Sequence, residues 1–343
     1  MAPHRLGRLH GGGTDVIKVL SIDGGGIRGI MPAIILAEIE RRTRRPIASL
    51  FHLIAGTSTG GLLALLLTRP TRHRTPLYTA AELVALYETE GLRIFPRSIW
   101  QQLHSVGNIV DEKYPDAGLE EVLNRYLGRA RLKEALTDVL ITSYEIERRI
   151  PWFFRSRRAK RRKDYDFLMK DVARAACAAP TYFEPHKLRG QASADAYALI
   201  DGGVFANNPA MCAFAEAKVR YPSAKEILVV SLGTGEHTRP LPYERVKDWG
   251  LMQWTQTLLG IVFHGISATV DYQMRQLLPA RKGRGARYHR FQTRLDLAHD
   301  TVDDASPANI RGLKLMAEEL IRDRQDDLTR LCAQLVRSRQ RVR

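Results

Sequence analysis

Apolar residues fall along this chain in two rhythms. Short β-branched runs stop abruptly at glycine, and longer stretches repeat apolar positions every three to four residues. Val16–Ile22 is the first run, closed by Asp23 and a glycine cluster, and it reads as a buried strand. Ile30–Arg42 follows at helical spacing, with Pro32 in the first turn, where a missing N–H costs nothing. Leu50–Ala55 predicts a second strand and Gly61–Leu67 a buried helix; Ala80–Thr89 and Leu119–Leu127 predict surface helices. Strands are expected again at Val139–Glu147, Tyr197–Ile200 and Ile227–Leu232. Asn309–Arg337 predicts a long amphipathic helical region with Leu313, Leu315, Met316, Leu320 and Leu331 turned to the core. Strands alternating with helices imply an α/β fold with a mostly parallel sheet covered on both faces and a helical C-terminal region.

Three of the predicted strands end in unusual turns, and ligands of open α/β sheets bind at the carboxyl ends of strands. The first turn is Asp23-Gly24-Gly25-Gly26-Ile27-Arg28-Gly29. It holds Gly-x-Gly-x-x-Gly, but no acidic residue ends the next strand to hold a ribose, and no Gly-Lys-Ser/Thr follows to make a P-loop. A glycine loop ahead of a helix remains, able to point backbone N–H groups at an anion or a transient oxyanion. The second turn, Gly56-Thr57-Ser58-Thr59-Gly60, is a Gly-x-Ser-x-Gly between strand and helix, the pattern of a nucleophile elbow. Gly56 and Gly60 would relieve crowding around Ser58, although a serine N-cap in a glycine turn gives the same letters. The third, Asp201-Gly202-Gly203, offers a carboxylate that could serve Ser58 as base, or a plain turn-forming aspartate.

Composition narrows the classes. The 343 residues are 44% hydrophobic and carry three cysteines, Cys177, Cys212 and Cys332, with no Cys-x-x-Cys pair. That excludes a disulfide scaffold, a zinc knuckle and a redox motif, and no metal-ligand cluster stands out. Met1–Thr14 lacks the apolar core of a signal peptide. Trp249–Val270 has no formal charge but is too polar for a span of about 20 residues, so a buried or amphipathic helix is expected. Its Trp249, Trp254 and Phe263 are candidates for an acyl-chain wall or a membrane-docking face. The net charge is +16, with nine basic and no acidic residues between Arg148 and Lys163, six more between Arg281 and Arg294, and four arginines from Arg337 to Arg343. Such clusters attract polyanions: nucleic acid, anionic lipid or acidic protein.

Asp23-Gly-Gly-Gly-Ile-Arg-Gly29, Gly56-Thr-Ser-Thr-Gly60 and Asp201-Gly-Gly203, in that order, resemble the patatin-like phospholipases, and Ala178-Ala-Pro-Thr-Tyr-Phe183 and Ser231-Leu-Gly-Thr-Gly235 are similar to further blocks of that family. The resemblance implies a three-layer α/β/α sandwich. It implies a flexible stretch at 1–15, a catalytic core over 16–235 and a helical extension over 236–343 packed on the core. It also implies a lipid acyl hydrolase with Ser58 as nucleophile, Asp201 as proton acceptor and no cofactor. Backbone N–H groups of Gly24, Gly25 and Gly26 would bind the oxyanion, with Arg28 bracing the loop or touching phosphate. The expected partner is a phospholipid membrane with an anionic surface, and the expected setting is cytoplasmic with peripheral membrane association. Arg148–Lys163, with Trp152, Phe153 and Phe154, is a candidate docking segment for that surface.

Alternatives remain at this level. His237 follows Asp201 in the order of a Ser-Asp-His triad. Some similar bacterial enzymes are switched on by a cyclic nucleotide, which the basic segments could hold. A nucleic-acid-binding protein would account for the charge, but neither a zinc finger nor an RNP-like aromatic motif is present.

Overall fold

In a computed structural model of the chain, residues 16–94, 116–180, 182–190, 195–236, 240–280, 285–295 and 303–337 are described. The first strand, β1 (Val16–Ile22), lies in the middle of an eight-stranded sheet. On one side it pairs in parallel with β2 (Leu53–Gly56), which pairs in parallel with β3 (Asp138–Glu145). On the other side β7 (Glu226–Leu232) and then β8 (Tyr288–Phe291) continue the parallel set. The antiparallel strands β4 (Ile150–Arg155) and β6 (Ala196–Asp201) join β3, and β5 (His186–Arg189) pairs antiparallel with β6. The chain thus builds outward from β1 in both directions, so a topological switch point lies at the end of β1.

Alternating residues of the central strands feed two cores. Leu20, Ile22, Ile54, Val230 and Leu232 face one layer of helices, and Ile17, Val19, Leu53, Ala55 and Val229 face the other. The first layer contains α1 (Ile30–Thr43) and α2 (Thr59–Thr68), whose ten residues are all buried. It also contains α3 (Ala80–Ile94), α4 (Asp116–Leu127) and, after α5 (Ser156–Arg161), α6 (Met169–Ala176). The second layer holds α7 (Ala210–Arg220) and the long α8 (Leu251–Leu277). The three-layer α/β/α arrangement is therefore as the motifs implied.

The C-terminal helical region is two helices. Ser306 caps α9 (Pro307–Asp323) by accepting the Asn309 N–H, and the backbone leaves helical geometry at Arg324 before α10 (Gln325–Val336). Leu313, Leu320, Leu328, Leu331 and Leu335 join the α1 side of the core, whereas Leu315, expected inside, is 62% exposed. The hydrophobic stripe rotates away from position 315 because 313, 317 and 320 already cover the buried face.

The basic stretch 148–163 is not the solvated loop its charge suggests. It forms β4 and α5, and β4 runs antiparallel along β3 from Glu145↔Ile150 to Leu140↔Arg155. Arg148 therefore lies near the carboxyl end of β3. Lys160 meets Asp138 at the opposite end, about 23 Å down the strand. Asp138 also pairs with Arg220, Arg155 pairs with Glu216 at 3.2 Å, and the Arg158 guanidinium stacks 3.4 Å from the centroid of the Tyr165 ring. Phe154 is buried, and Trp152 packs against Phe154, Tyr165 and Tyr197. These aromatics pack on one another within the fold.

Candidate active site

The glycine loop and the serine turn sit side by side at the carboxyl ends of β1 and β2. The Thr57 N–H donates to the Ile22 carbonyl at 3.2 Å, tying one turn to the other. Ser58 follows with φ +53° and ψ −124°, a conformation an L-residue adopts only under constraint, and α2 begins at Thr59. A Cβ on Gly56 would lie 2.2 Å from the Gly60 carbonyl oxygen, and one on Gly60 would lie 2.2 Å from the Ile22 carbonyl oxygen. Both contacts are with backbone, so both glycines are required by the turn. The half-buried Ser58 side chain is thus held in the strained elbow that the spacing predicted.

The carboxylate arrives from an unexpected direction. β6 descends antiparallel to β3, so Asp201 is delivered opposite Ser143 and the chain then crosses the strand ends. Gly202 packs on Thr142 of β3, the Ala206 carbonyl accepts the Thr57 hydroxyl at 2.6 Å, and the Asn207 carbonyl accepts the Gly24 N–H at 3.0 Å. This strap brings Asp201 up to Ser58, whose hydroxyl favours the charged carboxylate, while Oδ1 accepts the Gly203 N–H at 2.7 Å. Asp201 is 4% exposed. Burial pushes its carboxyl up to about 6, partly offset by the bonds from Ser58 and Gly203. The Cys177 thiol adjoins the same pair, and its own ionisation is pushed up by burial and by the Asp201 charge.

The loop after β1 passes directly beside Ser58: a Cβ on Gly24 would come 3.3 Å from the Ser58 Cβ. One expectation changes here. The Gly24 N–H is committed to the Asn207 carbonyl, so it is not available to an oxyanion; among the described residues those of Gly25 and Gly26 make no hydrogen bond. The Arg28 side chain is nearly buried and its Nε donates to the Gly25 carbonyl at 3.4 Å, which is the bracing geometry.

Two partners of this loop were invisible in the motifs. Thr234, at the end of β7, donates its hydroxyl to the Gly24 carbonyl at 2.7 Å. Arg290, on β8, forks onto both oxygens of Asp23 at 3.0 and 2.6 Å and reaches Ser231 at 2.8 Å. Burial pushes the Asp23 carboxyl up, with the Arg290 charge pulling it back. Thr234 lay within a quoted block, but nothing local marks Arg290, 267 residues away. His237 lies outside the described residues, and among those described no three or more His, Cys, Asp or Glu side chains gather as a metal site.

Residues 20–214 match the family model of the patatin-like phospholipases. The chain belongs to the patatin-like phospholipase family. It is 32% identical over 332 residues to "Probable inactive patatin-3-Kuras 1" of Solanum tuberosum, covering 90% of this chain and 87% of that protein. It is also 32% identical over 343 residues to "Patatin-like protein 2" of Arabidopsis thaliana, covering 90% and 83%. A solved structure, VipD from Legionella pneumophila, aligns with a TM-score of 0.34 at 11% identity over 89% of this chain and 67% of that one, too loosely for any argument to rest on it. Membership in the patatin-like family supports lipid acyl hydrolase chemistry in general terms.

Between Phe263, whose ring lies 3.6 Å from where a Gly203 Cβ would be, and Ser267, which accepts from Asn207 Nδ2 at 3.3 Å, α8 is anchored next to the site. Its earlier turns carry Trp254, Leu258 and Ile261, 38, 51 and 41% exposed at i, i+4 and i+7. Trp249 stacks edge-on against Trp254, with centroids 5.5 Å apart. This half of the helix is not buried as a core helix would be. No helix among the described residues is long and apolar enough to cross a membrane.

Proposed function

We propose that this patatin-like protein is a serine acyl hydrolase that releases fatty acids from membrane phospholipids through a Ser58–Asp201 dyad. The observation that carries the reading is Ser58, strained into the elbow beside the buried Asp201 carboxylate, whose proton affinity is raised by burial. An aspartate of ordinary pKa, about 3.9, is a weak base for a serine hydroxyl; one near 6 is matched to accepting a proton near neutrality. In the first half-reaction Ser58 Oγ attacks the ester carbonyl as its proton passes to Asp201. The tetrahedral oxyanion meets the N–H groups of Gly25 and Gly26 at the start of the turn leading into α1. Collapse breaks the ester bond, and Asp201 returns the proton to the departing alkoxide. In the second half-reaction Asp201 takes a proton from water, hydroxide attacks the acyl-serine, and fatty acid leaves as Ser58 regains its proton.

The exposed Trp254, Leu258 and Ile261 beside the site support a substrate held in a membrane surface. That makes α8, and not the basic stretch 148–163, the docking element of this reading. One relative is named as probably inactive, and the reading here rests on this chain's own Ser58 and Asp201.

The deciding experiment is fatty-acid release from defined phospholipid vesicles. Ser58→Ala is expected to lower the rate by about 10⁴-fold or more while leaving the fold intact. Persistent activity in Ser58→Ala would remove the proposal.

A further inference from the structure

The loop that presents Gly25 and Gly26 is rooted at Asp23, and the root is held from an unexpected distance. Ser21, Ser231 and Arg290 occupy one row across β1, β7 and β8. Asp23 stands two residues beyond Ser21, on the same face of the sheet. From β8 the Arg290 guanidinium crosses β7, donates to the Ser231 hydroxyl at 2.8 Å, and closes a two-pronged contact on the Asp23 carboxylate at 3.0 and 2.6 Å. Both side chains are almost wholly buried, 4 and 2% exposed. A buried ion pair is weak evidence of stability, because desolvation offsets the attraction; its clearest consequence is a fixed direction. Here the fixed direction belongs to the first residue of the loop. The Asp23 N–H is held by the Leu232 carbonyl at 2.9 Å, and the next residue is held by Asn207 and Thr234.

We propose that Arg290 is a positioning residue for acyl transfer: through Asp23 it sets the angle at which the Gly25 and Gly26 N–H groups meet the oxyanion. The inference rests on the reading of Ser58 and Asp201 as the reacting pair. It assigns a working part to a strand 76 residues beyond the end of the family-model match at 214. Lysine cannot replace this arginine, since an ammonium is a single point and cannot make the fork that fixes the carboxylate plane.

The test compares wild type, Arg290→Lys, Asp23→Asn and the double variant, using a soluble p-nitrophenyl ester for kcat and KM. A trifluoromethyl ketone, which forms a tetrahedral oxyanion adduct on a serine, and thermal unfolding complete the readouts. Expected for Arg290→Lys is a fall in kcat of about 10- to 100-fold, within what one misdirected oxyanion donor costs. KM should stay within about twofold, and ketone affinity should fall by the same factor as kcat. Asp23→Asn should match it, and the double variant should be no worse than either single change, because both cut one linkage. A folded Arg290→Lys protein with wild-type kcat and ketone affinity would overturn the inference, as would losses that multiply in the double variant. If Arg290→Lys does not fold, Ser231→Ala decides: it removes only the lateral bond that steadies the guanidinium. A several-fold parallel loss of kcat and ketone affinity at unchanged melting temperature supports the inference; no change overturns it. Ser58→Ala, run alongside, separates the two claims: if it stays active the dyad reading falls, whereas a dead Ser58→Ala beside fully active Arg290 variants sinks this inference alone.

Discussion

Asp201 is tuned by being kept out of water. The strap from 201 to 207 closes over it, and burial raises the carboxyl to about 6 against the loss of charge stabilisation that Ser58 and Gly203 only partly restore. Two consequences follow for this residue. In the proposed dyad Asp201 must be unprotonated to accept from Ser58, so kcat/KM for a soluble ester is expected to fall tenfold per pH unit below about 6. The same shift destabilises the native state at neutrality. With a folded value above the unfolded one of about 3.9, the native protein holds the proton more tightly. Its stability is therefore greatest below pH 4 from this group and declines as pH rises through 6. Roughly two units correspond to about 3 kcal/mol. Asp201→Asn should therefore be inactive yet melt higher than wild type at pH 7, with the difference disappearing near pH 4. Calorimetry at the two pH values checks it; a variant that melts lower at both would contradict the burial argument.

Among the elements, the uncharged stretch of α8 leaves a buried or an amphipathic helix open, and the structure makes it amphipathic: in its C-terminal half Ser267 and Met274 are buried while Tyr272 and Leu277 are exposed. Its N-terminal half shows Trp254, Leu258 and Ile261 to solvent in a single stripe, on the helix whose Phe263 and Ser267 lie against the 201–207 strap. Covering half of such a side chain is worth about 1 kcal/mol, so inserting three together gives about 3 kcal/mol, or roughly 100-fold in affinity for a lipid surface. Changing all three to serine is expected to weaken binding and hydrolysis of vesicles by about that factor while sparing a soluble ester. Sedimentation of vesicles with the protein provides the binding number. Equal losses on both substrates would mean the stripe serves the fold or the site and not docking. The basic stretch behaves oppositely: the pairing of β4 with β3 carries α5 to the end of the sheet away from Ser58.

For the whole molecule, the boundary at 235 has no physical counterpart in the packing. Leu313, Ala317, Leu328, Leu331 and Leu335 complete the core against α1, and Lys18 on β1 donates to the Leu335 carbonyl at 2.6 Å. β8 adds a strand to the sheet, and Arg290 reaches the catalytic loop. Burying five such side chains involves on the order of 10 kcal/mol, comparable with the net stability of a domain. A chain ending at Gly235 is expected to be insoluble or molten, without cooperative unfolding by circular dichroism. A folded, active 1–235 fragment would show that the C-terminal region is an accessory after all.

What the sequence by itself determined is local. Val16–Ile22 alternates between the two cores, and Gly56 is required because a Cβ there would collide with the backbone of Gly60 and Gly61 a few residues on. Interactions of short range leave their mark in adjacent letters, which is why the serine elbow, the glycine loop and strands β1, β2, β3, β6 and β7 were legible, while β4, β5 and β8 were not. The tertiary structure alone decided the rest. It turned β6 antiparallel so that Asp201 meets Ser58, and it took the Gly24 N–H for Asn207. It exposed Leu315 and half of α8, and it brought Arg290 across 267 residues to Asp23. Each of these depends on which surfaces meet once the sheet is assembled, and a guanidinium in a strand carries no sign of which carboxylate will lie two strands away across the sheet.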